Sequence, residues 1–554
     1  MRKEFSYEKN TKAKIFFLLL ISSVVIILAG GIGYYFYQDK TEASEQDYYM
    51  MDTDLVDEQT KIEKQLKESS ANSTLENPYI KLNPYGSSPL TALLLFDTDE
   101  KMKITVEVEG KNTDTTIQSE VNADYITHHQ VAVLGLYADK ANKVKIIAVT
   151  QDGKKIEKTV TIQTDKLPDE MPEIDVTSSD TTQMEQTGNQ LTFITPSTKY
   201  AYGVDSNGDV RWYSTKYNSH VFKELENGHL LYLTKYDNTD DTYSLLLETD
   251  YLGKIYHAYS MTTEAESEQS GSSSKSAIHH DAIELPSGNL LLTINDDTKY
   301  MEDTMIEIDR QTGEVVKTID LKDILPEEFY QDYKARSDGK VDWFHQNAIW
   351  YDESDDSIVI SSRSQDTIMK LDYDTTKIKW ILSDKEGWPA SYKKYLLDST
   401  GTNFKYPAGQ HAVEILPDQD DNPDTVDILL YDNNVVVTRG DEDVSGEYSE
   451  AVQYRINEKN KKVEIVFSYG KALGDDYWTE IVGGSRHMET TGNYLINFGH
   501  RKNGKESSIL EVNQEGDIVF EMNLTDFPDS AWAYRAERLS LYPTSYHFQF
   551  TQDK

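Results

Sequence analysis

Between Leu90 and Thr164, apolar and polar residues alternate in short runs: LTALLLF, KITVEVEG, TTIQSEV, HQVAVLGLYA, KVKIIAVTQDG and KIEKTVTIQT. Alternation of period two, broken by turn residues, is the mark of short half-buried strands. The pattern predicts an immunoglobulin-like β-sandwich over 90–164, with His128 and His129 solvated at one of its turns. Residues 165–189, rich in Pro, Asp, Ser and Thr, read as a linker. Beyond it a longer pattern recurs. VDSNGDVRWY, TDYLGKIYHAY, IDRQTGEVVKTI, LDYDTTKIKWIL, INEKNKKVEIVF and VNQEGDIVFEM are six copies of strand, Asp/Asn/Gly turn, strand. A second hairpin alternates with the first, as ELENGHLLYLT, ELPSGNLLLTI, YDESDDSIVIS, ILPDQDDNPDTVDILLYD and METTGNYLINF. Two kinds of hairpin alternating over this length predict a β-propeller of six four-stranded blades across 190–554. WAYRAERLSLYP, near the C-terminus, resembles the strand opening the second hairpin, and is expected to complete the first blade and close the ring.

One stretch breaks the all-β pattern. Ile15–Phe36, IFFLLLISSVVIILAGGIGYYF, has about the 20 apolar residues that span a bilayer. Arg2, Lys3, Lys9, Lys12 and Lys14 precede it and an acidic segment follows, so the positive-inside rule puts residues 1–14 in the cytoplasm and the rest outside. A cleaved signal peptide is the rival reading, but the apolar run is long for one and LAGGIG is a poor cleavage site. Residues 37–88 are acidic and read as a stalk, with a short helix over VDEQTKIEKQLKESS. The fold class is therefore all-β, a sandwich followed by a six-bladed propeller, with one N-terminal transmembrane helix. The catalytic domain is expected on the outer face of the cell membrane.

Charge narrows the partners. A net charge of −41 repels nucleic acid and anionic lipid surfaces, so an anionic substrate must be held by a local cluster of cations and N–H groups. The chain has no cysteine, which excludes disulfides and thiolate metal sites. A homodimer is compatible with all of this.

The repeats also gather polar residues. IHHDAIELPSGN, FHQNAIWYDESDD, GQHAVEILPD and SRHMETTGN each put histidine just before or at the start of the same strand. In a propeller such strands line the channel, so His279, His280, His345, His411 and His487, five of the twelve histidines, should meet at one mouth. A histidine there can simply cap a strand, but a ring of imidazoles has no packing advantage over Val or Ser. Arg363, in SSRSQD, ends the strand paired with that of His345, and Asn347 points to the same side as His345. Arginine among histidines makes a set of donors suited to an oxyanion.

These stretches, HHD…LPSGN, DWFHQNAIWYDESDDSIVISSR and GQHAVEIL, preceded by a small β-domain, resemble the bacterial arylsulfate sulfotransferases from Leu90 to the C-terminus. The resemblance implies transfer of a sulfuryl group from a phenolic sulfate donor to a phenolic acceptor, with no cofactor and no nucleotide sulfate. The intermediate would be a sulfohistidine. By motif match the nucleophile falls on His411, and the sulfate-holding residues on His345, Arg363 and one of His279 and His280. Asn347 matches a neighbouring substrate-binding position, and His487 is carried by the repeat alone. Exported members carry a disulfide near the nucleophile, which this chain lacks.

Alignment through DAI and NAI pairs His279 with His345, whereas alignment through ELP and ILP pairs His280 with His411; both histidines stay candidates. Two other classes fit the architecture. A metal-dependent propeller hydrolase would need channel oxygens for calcium, or three histidines for a transition metal. A surface-anchored binding propeller would recognise a glycan or host ligand without catalysis. Activity in the presence of a strong chelator would separate the first of these.

Overall fold

The computed structural model describes residues 50–551 apart from 123, 186–188, 241, 261–277, 296–298, 402–403, 441 and 443–444. The apolar segment 15–36 lies outside the described residues. Among those described, no helix is long and apolar enough to cross a membrane.

The first β-region is built on one long strand, Ala92–Val108. Tyr79–Leu82, Ile117–Glu120, Ile126–Val133 and Ala141–Thr150 all pair antiparallel with it, and Lys155–Gln163 adds to the last of these. Its burial follows the sequence pattern. Met102, Ile104, Val106 and Val108 face inward between half-exposed neighbours, while Ala92–Phe96 is buried on both faces. His128 and His129, expected at a turn, lie within the strand Ile126–Val133. His129 is buried, with its ring 4.9 Å from that of Phe96.

Residues 50–88 do not stand off as a stalk. Thr53–Ser69 is a helix whose N-cap, Asp52, accepts hydrogen bonds from the N–H groups of Asp54 and Leu55. Its buried face carries Gln59, Glu63 and Leu66. Glu63 pairs with the buried Lys254 at 2.8 Å, and Gln59 Oε1 accepts the Ile255 N–H at 3.4 Å. Hydropathy reads such a face as solvated, because the pairing that allows its burial lies some 200 residues away in the chain. Part of the expected linker is also ordered, since Glu173–Ser179 adds a strand to the last sheet described below.

From Gln190 onward the strands form antiparallel four-stranded units. Sheets 3 to 6 are meanders. Sheet 3 is Ile278–Glu284, Leu290–Ile294, Thr304–Ile308 and Val315–Asp320; sheet 4 is Gln346–Asp352, Ser357–Ser362, Thr367–Asp372 and Ile378–Leu382. Sheet 5 is His411–Ile415, Thr425–Asp432, Glu450–Asn457 and Lys462–Tyr469; sheet 6 is Gly484–His487, Tyr494–Arg501, Glu506–Val512 and Ile518–Thr525. Sheets 1 and 2 share the 15-residue strand Val210–Glu224. Its first half pairs with Tyr200–Val204, and its second half opens sheet 2 against Leu230–Thr234. Leu245–Thr249 and Ile255–Ser260 complete sheet 2. Sheet 1 is opened by the C-terminal strand Ala533–Ser540, which pairs with Gln190–Pro196.

The opening strands adjoin one another in turn from sheet 2 through sheet 6. Ala533–Ser540 then adjoins both the sheet 6 opening strand and Val210–Glu224, so the circuit closes. Neighbouring sheets pack face to face, with Ile358, Ile360 and Met369 against sheet 3 residues and Val359 and Ile368 against sheet 5 residues. Burial on both faces explains why these strands read as unbroken apolar runs such as LLLTI and SIVI. Each fully buried Ile or Val is worth about 1.5–3 kcal/mol over its exposed state.

Candidate active site

The starts of four opening strands are distorted in the same way. Register shifts fall between Asn218 and Phe222, Ile278 and Ala282, Gln346 and Ala348, and His411 and Glu414. At or beside each shift a residue takes positive φ: His220 (58°), His280 (36°), His345 (51°) and Ala412 (57°). Left-handed backbone at a side-chain-bearing residue costs about 1–3 kcal/mol. Bulges re-aim side chains, and here they turn rings from several sheets toward one another.

The His280 ring is the hub. Its centroid lies 4.6 Å from that of His345, 5.3 Å from His220 in a stacked pair, 5.0 Å from His279 and 6.1 Å from Tyr534. His279 and His280 share a hydrogen bond between their Nδ1 atoms at 2.9 Å. Under them sits Glu302, itself buried. His345 Nδ1 lies 2.7 Å from Glu302 Oε2 and 2.8 Å from Asp342 Oδ2. Burial alone would push His345 down, but the two carboxylates outweigh it and raise it to about 10, so this ring is an imidazolium at neutral pH. His279, His280 and His220 are pushed down by burial, His220 to about 3, and are neutral.

His411 opens sheet 5 and is 2% exposed. Its Nδ1 lies 2.7 Å from Asn433 Oδ1. The Asn433 amide is fixed, because its Nδ2 donates to the carbonyls of Thr479 (3.0 Å) and Val482 (2.8 Å). Oδ1 is therefore the atom presented to His411, Nδ1 carries the proton, and Nε2 is left with its lone pair. Burial first, then the charges of Arg535, Arg363 and His345, push His411 well below its ordinary value. Its flank is pinned to sheet 4: Gly409 N–H donates to Asp366 Oδ1 at 2.8 Å, Gln410 Nε2 donates to Ser362 O at 2.9 Å, and Asn347 Nδ2 donates to Gln410 O at 2.7 Å.

Two arginines supply positive charge. Arg363 donates its backbone N–H to His345 O at 3.2 Å, while its buried Nε has no partner. Arg535 hydrogen-bonds the carbonyls of Gly483, Tyr534 and Asn347 at 2.7, 3.0 and 3.3 Å and forms no ion pair among the described residues. Neutral histidines, an imidazolium and two guanidinium groups can hold an anion inside a protein of net charge −41.

Of the residues singled out in the sequence, His279, His280 and His345 share ring contacts, and Arg363 and His345 act electrostatically on His411. Asn347 touches the residue before His411. His487 stands apart, at the far end of its strand beside Tyr494, with its N–H directed to Glu414. In METTGN the turn follows His487 so closely that Gly484 occupies the strand start where the other copies carry histidine. Sequence reasoning missed His220, Glu302, Asp342, Asn433, Tyr534 and Arg535. The signal for His220 was present, since HVFKELENG matches HDAIELPSG residue for residue in spacing.

Two sets of side chains lie close enough to hold a metal ion: His279, His280 and Glu302, and Glu302, Asp342 and His345. In the second set His345 Nδ1 lies 2.7 Å from Glu302 and 2.8 Å from Asp342, hydrogen-bond distances, whereas in the first His280 Nδ1 stands 3.9 Å from Glu302.

A family model described as Arylsulfotransferase (ASST) matches residues 176–535, and one described as Arylsulfotransferase Ig-like domain matches residues 79–165. An arylsulfate sulfotransferase of Lelliottia amnigena is 24% identical over 73% of this chain and 81% of its own length. That of Escherichia coli O6:H1 is 23% identical over 84% of this chain and 91% of its own. Among solved structures, the periplasmic gluconolactonase of Pseudomonas aeruginosa covers 80% of this chain and 99% of its own at 8% identity and a TM-score of 0.30, too loose a likeness to carry an argument.

Proposed function

From the premise that the chain belongs to the arylsulfotransferase family and is an aryl-sulfate sulfotransferase, we propose that it works in two steps through a sulfohistidine at His411. The six sheets whose opening strands run in a closed circuit support the reading of a six-bladed propeller, with the histidines at one mouth of its channel. The observation that carries the proposal is the tautomer of His411. A neutral imidazole whose Nδ1 proton is held by Asn433 presents Nε2 as a nucleophile without prior deprotonation.

A sulfate ester spreads one negative charge over three oxygens, so its transfer depends on positioning and charge neutralisation. Arg363 and His345, with His279 or His280, hold those oxygens, and Asn347 keeps the His411 flank in place. His280 is the better placed of the pair, because its ring and not that of His279 contacts His345. Attack of His411 Nε2 on sulfur releases the first phenol and leaves the sulfuryl group on nitrogen; a second phenol then takes it.

The test is a chromogenic aryl sulfate given without acceptor. About one equivalent of phenol per chain should be released in a burst, with the sulfuryl adduct on the peptide holding GQHAVEIL. Added phenol should restart turnover with ping-pong kinetics. Arg363→Ala should lower the transfer rate by about 100-fold. Full activity in His411→Ala, or an adduct on another histidine, would overturn the assignment.

The apolar segment 15–36 supports a further proposal, that the chain is held at the outer face of the cell membrane by this one span.

A further inference from the structure

Glu302 and Asp342 stand outside the repeated histidine positions, yet their carboxylates converge on one nitrogen, His345 Nδ1, at 2.7 and 2.8 Å. Glu302 is fixed in turn. Its N–H donates to Asn295 Oδ1 at 3.0 Å, and its carbonyl accepts the N–H of Gln346, the residue after His345, at 2.9 Å. The ring cannot rotate or give up its Nδ1 proton without leaving two carboxylates short of their cation. Nε2 is the remaining nitrogen, and no described residue bonds it.

We propose that Glu302 and Asp342 are positioning residues that lock His345 as an imidazolium with Nε2–H directed to the leaving aryl oxygen, which suits the enzyme to sulfates of weakly acidic, unactivated phenols. This rests on the His411 reading above and assigns the proton transfers within it. In the first step His411 Nε2 forms the N–S bond as the bond from sulfur to aryl oxygen breaks, and the His345 Nε2 proton passes to that oxygen. In the second, the acceptor phenol gives its proton to His345 Nε2 while its oxygen forms the new O–S bond and the N–S bond breaks. Proton and sulfuryl group both return to balance over the cycle.

The proton affinities match. Against the cost of burial, the two carboxylates raise His345 to about 10, close to the pKa of about 10 of a tyrosine-like phenol. Exchange between them is nearly thermoneutral in either direction. The other groups around His345 do not reverse this. His279, His280, His411 and, one ring further, His220 are neutral, and Arg363 meets the His345 carbonyl only through its backbone N–H.

The experiment compares full-length wild type and Glu302→Gln in the donor half-reaction with two donors. Phenyl sulfate needs its leaving oxygen protonated; 4-nitrophenyl sulfate, whose phenolate is stabilised by the nitro group, needs this far less. Glu302→Gln should lose about 100-fold or more with phenyl sulfate and under about 10-fold with 4-nitrophenyl sulfate. Glu302→Asp should recover most of the phenyl sulfate rate, and Asp342→Asn should show the same selectivity as Glu302→Gln. Equal losses with both donors would overturn the proposal. So would one equivalent of transition metal retained per chain with activity abolished by a chelator. Mass analysis of the wild type separates the two levels: a His411 adduct together with equal losses sinks the positioning role alone, whereas no adduct sinks the histidine-transfer reading beneath it.

Discussion

In the proposed reaction, a single amide decides which nitrogen of His411 is free to attack. Asn433 accepts from Nδ1, and its own amide nitrogen is tied to two carbonyls, so the opposite tautomer would leave Oδ1 facing a lone pair. Asn433→Asp keeps the shape and adds a negative charge beside Nδ1–H, which favours the imidazolium and raises the His411 pKa. Because only the neutral ring is a nucleophile, the acid limb of the burst-rate profile should move to higher pH. The variant should lose rate first at the acid end and recover toward pH 9, where His345 is still protonated. An unmoved limb would show that His411 is not the group titrating there. At this scale much was legible in sequence, because histidines recur at one repeat position. His220 escaped because, although HVFKELENG keeps the spacing of HDAIELPSG, the three residues between His220 and Glu224 share no identity with that copy. Glu302 and Asn433 lie in segments that no repeat aligns, and an acid or an amide in such a segment looks like any other polar residue until the chain brings it under an imidazole.

The hairpins themselves were the most readable elements. All six copies beginning with VDSNGDVRWY are the third and fourth strands of a sheet, since a tight turn between apolar runs is determined locally. What sequence does not mark is a turn that holds something distant. Asp366, just beyond Arg363, accepts Gly409 N–H at one oxygen and the N–H groups of Val437, Thr438 and Arg439 at the other, at 2.6–3.0 Å. It thus ties the segment entering His411 to the loop beyond sheet 5's second strand. Arg439, held there, donates to Gln365 O and packs between the rings of Phe329 and Trp388, at 4.4 and 4.9 Å. Asp366→Asn replaces one accepting oxygen with a donor that faces other donors, so it should destabilise the protein by about 2–3 kcal/mol in denaturant unfolding. Transfer activity should fall with it while the sulfuryl adduct, where formed, stays on His411. Unchanged stability would mean that the loop is held by its aromatic contacts instead. The helix Thr53–Ser69 was misread as part of a stalk for a related reason, since two of its three buried residues are polar.

The whole molecule sets a strongly negative field around a small positive mouth. Ninety-six acidic against 55 basic residues repel a sulfated substrate at long range, so capture at the proposed site would depend on Arg363, Arg535 and the His345 imidazolium at short range, inside low dielectric where each is worth more. The same charge asymmetry argues the topology. Five basic residues precede the apolar segment 15–36, and acidic residues crowd the segment behind it, so the proposed span, with its positive end in the cytoplasm, would leave every sheet outside. Residues 50–88 are folded onto the sheets and give no long spacer, which leaves only the residues between Phe36 and Met50 as tether. Protease added to intact, wall-stripped cells should therefore release the folded body as one large fragment by cutting within this tether, and the released fragment should keep its transfer activity. A body that stays protected until the membrane is broken would reverse the topology, and a body found in the medium without protease would show that the segment is removed in the cell.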